Sequence, residues 1–171
     1  AGKWVMDVFE PQAGGDGPYY GLDFGFAQDP TAGVKMWVHD SVLYIERELW
    51  QIKLETIDLP DVIRREMTGD DKRRIYADCA RPETISHLNK IGKLDVLGCE
   101  KWKGSVEDGI TFLRSFKKIV IHERCKHTIE EARLYSYKTD RLTGDILPDI
   151  LDKHNHCWDA VRYGLGKMIK R

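Results

Sequence analysis

The sequence predicts one α/β domain, built on a mixed central sheet with helices on both faces. Two observations carry this prediction. Apolar segments with strand-like alternation come first along the chain and indicate a three-strand antiparallel meander. Short apolar strands then alternate with helical segments, a pattern typical of crossover connections onto a sheet. The length of 171 residues suits a single domain.

Strands are predicted where short apolar or alternating segments end in turn residues. The meander covers residues 19–26, 32–38 and 41–49, with turns at 28–31 and 39–40. Shorter strands follow at residues 73–78, 94–99, 119–122 and 136–139. Residues 1–18 contain a glycine-rich segment and are expected to be an irregular, flexible lead-in. The predicted domain therefore covers residues 19–171.

Helices are predicted where apolar residues recur at spacings of three and four. They cover residues 56–67, 82–92, 105–116, 128–134 and 154–169. Pro82 suits the first turn of the second helix, where no backbone N–H is needed. These helices alternate with the later strands, which gives the order β-β-β-α-β-α-β-α-β-α-(β)-α.

The composition excludes several classes of protein. Because 27 Lys and Arg face 28 Asp and Glu, the chain is neither a highly cationic nucleic-acid coat nor an acidic disordered tail. No apolar segment approaches the ~20 residues that span a bilayer, and no signal-peptide pattern stands at the N-terminus. The four cysteines form no C-x-x-C pair and are expected to be reduced thiols.

Three aspartates stand where packing alone does not explain a carboxylate. Asp23 interrupts a strongly apolar strand, Asp78 ends another, and Asp159 lies near the start of the last helix. A carboxylate inside an apolar strand is costly unless it is paired or bound to a cation. Structural roles stay open for two of them, with Asp78 as a helix cap and Asp159 as a charge at a helix N-terminus.

Carboxylates that the fold brings together repel one another and become stable as anions when divalent cations lie between them. Mg²⁺ prefers oxygen ligands and keeps several waters, so two or three carboxylates suffice. Two such ions ~3.5–4 Å apart can activate a water and stabilise the leaving oxygen in phosphodiester cleavage. The three aspartates are therefore candidate ligands of a metal-dependent phosphodiesterase.

Three segments resemble the nuclease motifs of tailed-phage terminase large subunits. They are YGLDFGFAQDPTA at residues 20–32, IYAD at 75–78 and HCWDAVRY at 156–163. In the third motif a histidine precedes the last acidic residue by three positions. The resemblance covers nearly the whole chain from residue 19 onward, and it implies the ribonuclease H-like fold of those nuclease domains.

The resemblance also implies the site residues. Asp23, Asp78 and Asp159 match the positions of the metal ligands, with Mg²⁺ or Mn²⁺ as the cofactor and two ions in the site. His156 is implied to be catalytic as a further ligand, a proton shuttle or a contact to the scissile phosphate. In helix geometry His156 and Asp159 share one face. The alternative for His156 is a partly exposed histidine at the start of a helix.

The family implies a function in viral genome packaging within the host cytoplasm. Its nuclease cuts concatemeric DNA at the initiation and termination of packaging, and an N-terminal ATPase domain drives translocation. The implied partners are double-stranded DNA, the portal protein, the small terminase subunit and that ATPase domain. This chain has no G-x-x-x-x-G-K-[ST] loop, so we expect no ATPase activity from it.

Basic residues are the candidates for contacts to the DNA backbone. Lys138, Arg141 and Lys153 are nominated first, followed by Arg162 and Lys167 in the last helix and the clusters at residues 72–74 and 101–103. Contacts between these side chains and phosphates would make binding strongly dependent on salt. The alternative for each of them is an ordinary solvated surface.

Three other interpretations stay open at this stage. A zinc site is suggested by soft ligands clustered at residues 122–127 and 154–157, although their spacing is irregular. A non-catalytic module that docks on the portal or on DNA would not need the aspartates. A Holliday-junction resolvase or a transposase-like nuclease would share the fold and differ in its substrate.

Overall fold

The computed structural model describes residues 4–9, 15–137 and 155–169. Its strands are β1 (Trp4–Asp7), β2 (Asp16–Asp23), β3 (Thr31–His39), β4 (Val42–Gln51), β5 (Ile75–Asp78), β6 (Val96–Cys99) and β7 (Lys118–His122). Its helices are α1 (Leu59–Ile63), α2 (Pro82–Lys90), α3 (Ser105–Ser115), α4 (Lys126–Tyr137), α5 (His156–Gly164) and α6 (Gly166–Ile169). A 3₁₀ turn at Thr56–Asp58 precedes α1, and a π-helical turn at Arg64–Thr68 follows it.

The strands of the described residues form one mixed sheet of seven, in the order β1-β7-β4-β3-β2-β5-β6. Strands β2, β3 and β4 are the antiparallel meander at its centre. Parallel pairs extend the sheet on both sides, through β5 and β6 beyond β2 and through β7 and β1 beyond β4. The predicted fold class is confirmed. None of the helices that the structure describes is long and apolar enough to cross a membrane.

Two apolar cores lie on opposite faces of the sheet. In the core beneath α3, α4 and α5, the strands contribute Val34, Met36, Leu43, Ile45, Ile119 and Ile121. The core beneath α1 and α2 takes from them Tyr20, Leu22, Leu49, Ile75, Ala77 and Val96. Because successive side chains of a strand point to opposite faces, a residue next to a member of one core faces the other side.

Helix α5 lies very close to strand β2. A Cβ atom built on Gly21 would lie 1.7 Å from the carbonyl oxygen of Ala160 and 2.8 Å from the nitrogen of Gly164. A Cβ atom on Gly164 would in turn lie 3.0 Å from the nitrogen of Gly21. The absence of both side chains therefore lets the backbones of helix and strand meet. This contact determines where the first turn of α5 lies above the sheet.

The structure corrects three predictions of secondary structure. Residues 4–7, expected in an irregular lead-in, form β1, which pairs with the distant strand β7, and β2 already begins at residue 16. Residues 136 and 137, expected in a strand, end helix α4, and the remainder of that predicted strand lies outside the described residues. The last helix, expected to be continuous, is interrupted at Leu165 between α5 and α6. A parallel partner far along the chain leaves no local sequence pattern, which explains why β1 was missed.

Candidate metal centre

Asp23 and Asp78 end two neighbouring parallel strands on the same face of the sheet. Leu22 lies opposite Ala77 in the register of β2 and β5, so the next residue on each strand is one of the two aspartates. Leu22 and Ala77 both belong to the core beneath α1 and α2. Because side chains alternate, Asp23 and Asp78 both point to the opposite face, which α5 covers.

Helix α5 brings its first turn to this edge of the sheet. The close contact between Ala160 and Gly21 places the preceding residues of the helix beside Asp23, which is two residues further along β2. His156 Nδ1 lies 3.5 Å from Asp23 Oδ2. His156 and Asp159 are separated by three positions and therefore share one face of the helix. The fold thus gathers the four predicted residues at one end of β2, β5 and α5.

Each of the three carboxylates has a different basic side chain beside it. Asp23 faces His156, as described above. Asp78 Oδ1 accepts a hydrogen bond from Lys101 Nζ at 2.8 Å. Asp159 Oδ1 accepts one from Arg162 Nη2 at 2.6 Å. The negative charge of the centre is therefore compensated locally by side chains of the protein itself.

The aromatic ring of Tyr163 lies close to two of these basic side chains. Lys101 Nζ and Arg162 Cζ each lie 5.6 Å from the centroid of the ring, which is within the range of a cation–π interaction. The side chain is buried, and burial raises the pKa of the Tyr163 hydroxyl further above its ordinary range, as do Asp23 and Asp159. The phenol therefore stays neutral, and its ring packs against the two cations that pair with Asp78 and Asp159.

The pKa values show that the acidic side chains interact. Burial raises the pKa of Asp23, and the charge of Asp78 adds to this effect while His156 opposes it. Burial also raises the pKa of Asp159, where the charge of Asp23 adds to it and Arg162 opposes it. Burial acts in the same direction on Asp78, but the hydrogen bonds from Lys101 and from the Ala80 N–H outweigh it and lower the pKa of that carboxyl.

These residues suit hard divalent cations by their chemistry. Carboxylate oxygens are the ligands that Mg²⁺ and Mn²⁺ prefer, and repulsion between the acids favours a positive charge between them. Among the described residues, no three His, Cys, Asp or Glu side chains are already arranged as ligands of one ion. Lys101 and Arg162 engage one oxygen each of Asp78 and Asp159. A metal at this edge would compete with these ion pairs for the charge of the carboxylates.

The remaining sequence nominations have different outcomes. Lys138, Arg141 and Lys153 lie outside the described residues. Lys101 and Arg162 were nominated as DNA contacts, whereas the structure pairs them with acids of the centre. The Lys101–Asp78 pair joins residues 23 positions apart and has no local sequence pattern. The Arg162–Asp159 pair has the i, i+3 spacing of one helix face, a signal from which it could have been predicted.

The soft ligands of the proposed zinc site have other partners. His127 Nδ1 lies 2.7 Å from Glu48 Oε2, and its ring stacks on Trp50 with centroids 4.0 Å apart. Cys125 is buried, and burial raises the pKa of its thiol. The described part of the chain contains no ligand set for zinc. His154 lies outside the described residues.

Two buried glutamates cap helices from other elements. Glu48 on β4 accepts hydrogen bonds from the backbone N–H groups of His127 and Thr128 in the first turn of α4. Glu131 on α4 accepts them from Cys157 and Trp158 in the first turn of α5, at 3.0 and 3.3 Å. These N–H groups have no partners within their helices, so a carboxylate there satisfies them. The Glu131 contact helps hold the turn that carries His156 and Asp159.

The Glu131 cap should make stability depend on pH. Burial raises the pKa of Glu131 from 4.5 to about 7, although the backbone N–H groups oppose this. A raised carboxyl pKa gives stability that is full below the unfolded value and is lost as pH rises through the folded value. Relative to Glu131→Gln, the protein should lose roughly 3 kcal/mol of unfolding free energy between pH 4.5 and pH 8. Urea unfolding of both proteins at several pH values measures this, and a constant difference between them would contradict it.

Comparisons with known proteins identify relatives of this chain. The family model described as "Terminase RNAseH like domain" matches residues 23–167. The terminase large subunit of Bacillus phage SPP1 is 33% identical over 156 residues, which is 88% of this chain and 36% of that protein. The PBSX phage terminase large subunit of Bacillus subtilis strain 168 is 29% identical over 147 residues, which is 85% of this chain and 33% of that protein. This chain thus spans about a third of the length of these relatives.

A solved structure has the same fold. The nuclease domain of the SPP1 large terminase, crystallised with bound Mn, superposes with a TM-score of 0.80 and 28% sequence identity. The match covers 98% of this chain and 97% of that one. It extends over the whole mixed sheet with its helices. The family model covers more than half of the sequence and includes all three aspartates of the centre. The chain therefore belongs to the family of RNase H-like domains of phage terminase large subunits.

Proposed function

We propose that this domain is a metal-dependent DNA endonuclease, which cuts concatemeric viral DNA at the initiation and termination of packaging. The observation that carries the proposal is the placement of Asp23, Asp78 and Asp159 at one edge of the sheet. Two parallel strands and one helix contribute to it, and the carboxylates interact electrostatically. A purely structural role would not require three acids to share this edge.

Each residue has a role in the proposed site. Asp23, Asp78 and Asp159 would hold two Mg²⁺ or Mn²⁺ ions. When bound, such ions lower the pKa of a water and stabilise charge on the leaving oxygen of a phosphodiester. His156 lies between the buried Asp23 and the exposed Asp29, whose Oδ1 is 3.8 Å from His156 Nε2. From this position His156 would contact the scissile phosphate or shuttle a proton.

The choice of cation and partners is part of the proposal. The bound Mn of the SPP1 nuclease domain supports a divalent metal cofactor here. We propose double-stranded DNA as the substrate, without strong sequence preference. The portal protein, the small terminase subunit and an ATPase domain of the same polypeptide would be the partners, in the host cytoplasm.

Cleavage of supercoiled plasmid tests the proposal. With Mn²⁺ or Mg²⁺ the domain should convert the plasmid to nicked and linear forms, and EDTA should prevent this. Fragments should map to many positions, because phosphate contacts carry no sequence information directly. Plasmid that stays supercoiled at high protein concentration would favour the docking module.

The same assay separates the two nuclease alternatives. A resolvase should cut a synthetic four-way junction much faster than a linear duplex with the same arms. A packaging nuclease should cut both at comparable rates. Strong preference for the junction would overturn the terminase function while leaving the metal centre in place.

A further inference from the structure

Lys101 has an unusual position in this centre. It lies on the loop after β6, and its ammonium group donates to Asp78 Oδ1 at 2.8 Å. The Ala80 N–H donates to the same oxygen at 3.0 Å. Although the Asp78 side chain is only 18% exposed, that of Lys101 is 45% exposed. A flexible cation therefore reaches from the surface into the acidic centre.

Arg162 provides the contrast to Lys101. It lies within helix α5 and its side chain is 13% exposed. A Cβ atom on Gly109 of α3 would lie 2.5 Å from Arg162 Cδ, so the stem of the arginine is packed between two helices. Arg162 is thus held in place, whereas the lysine stem has four rotatable carbons and an open side toward solvent.

Lys101 competes electrostatically with a metal on Asp78. A divalent ion bound to this carboxylate would lie within a few ångströms of the ammonium group, and like charges at that separation repel strongly in a partly buried site. The ion and the lysine therefore compete for the negative charge of Asp78, whose Oδ1 already accepts from Lys101.

Once released, Lys101 has a place beside the same centre. A cavity of about 140 Å³ is lined by the basic Lys101 and Arg162, the acidic Glu100 and the rings of Trp102 and Tyr163 among others. The Tyr163 ring already lies within cation–π range of the ammonium group. A positive charge in this cavity would attract a phosphate of the DNA backbone.

We infer that Lys101 is an exchangeable counter-ion of Asp78. A divalent cation displaces Lys101 from this carboxylate, and the lysine then contacts the substrate phosphate as a catalytic residue. The inference rests on the proposed nuclease function. The lysine compensates the acid while no metal is bound and compensates the phosphate once the metal has taken its place. Its charge is therefore used in both states of the centre.

Lys101→Met tests the first half of the exchange. Mn²⁺ affinity, measured by calorimetry without DNA, should rise about fivefold, because a partly exposed ion pair no longer competes. Lys90→Met is the matched control, since Lys90 is an exposed lysine of α2 on the other face of the sheet, and its Mn²⁺ affinity should not change. In an Asp78→Asn background Lys101→Met should no longer tighten binding. Unchanged or weaker Mn²⁺ binding by Lys101→Met would overturn the inference.

Cleavage at saturating Mn²⁺ tests the second half. We expect kcat of Lys101→Met to fall at least ~10-fold, because a charged contact to the reacting phosphate is lost, while Lys90→Met cuts normally. A kcat equal to that of the parent would overturn the phosphate contact. If the parent cuts no DNA at all, the proposed function fails, and the calorimetry still decides whether Lys101 competes with the metal. Lys101→Gln serves as a second variant if the methionine variant does not fold.

Discussion

Replacing Asp23 with asparagine should reduce DNA cleavage at least ~1,000-fold, which corresponds to about 4 kcal/mol of lost transition-state stabilisation. The same variant should be no less stable than the parent in metal-free buffer. Asp23 is 8% exposed, and burial raises its pKa, so the fold gains nothing from its charge. An uncharged side chain of the same shape relieves repulsion with Asp78 and Asp159.

Two measurements check this prediction together. Plasmid cleavage should be lost, while the unfolding midpoint in EDTA should equal or exceed that of the parent. Added Mn²⁺ should raise the midpoint of the parent, because a ligand of the folded state stabilises it, and should raise that of Asp23→Asn much less. Asp61→Asn is the charge-matched control, because Asp61 is exposed on α1, across the sheet. Near-normal cleavage by Asp23→Asn would remove the central ligand from the proposed mechanism.

Gly21→Ala should destabilise the domain by at least ~3 kcal/mol. The new methyl group would lie 1.7 Å from the carbonyl oxygen of Ala160, and a backbone atom of a packed helix cannot turn aside as a flexible side chain can. Helix α5 must therefore move away from β2. Since α5 carries His156 and Asp159, cleavage by the remaining folded protein should fall as well.

Gly33→Ala is the matched control for this prediction. Gly33 lies on β3, opposite Leu22 of β2, and a Cβ atom there would first meet the thioether of Met67 at 2.4 Å. A methionine side chain adapts easily, so we expect a loss below ~1.5 kcal/mol. Urea unfolding of both variants compares the two. Equal losses of unfolding free energy would show that the contact between β2 and α5 tolerates an added methyl group as well as the contact with Met67 does.

Local sequence patterns identified most of the elements and the acids of the centre. The meander was predictable because its strands alternate and are joined by short turns, so each strand pairs with its neighbour in the chain. Asp23 stood out because a charge is costly in an apolar strand. Its surroundings, and those of Asp159, also matched motifs of a known family.

The contacts between distant parts of the chain could not be predicted in the same way. Lys101 lies 23 positions after Asp78, to which it donates a hydrogen bond. Glu131 lies 26 positions before Cys157 and accepts a hydrogen bond from its backbone N–H. Strand β1 joins the sheet by parallel pairing with β7, which lies more than 100 positions later in the chain. None of these contacts produces a periodic pattern in the sequence.

The amino-acid sequence by itself therefore determined the strands of the meander, most helices and the identity of the acidic residues, because burial and chain stiffness act within a few neighbouring positions. Only the tertiary structure decided that Asp23 and Asp78 share a face, that glycines bring α5 down onto β2, and that Lys101 compensates Asp78. Register and packing bring together charges from distant parts of the chain, and Coulomb interactions depend on that final distance rather than on separation along the sequence.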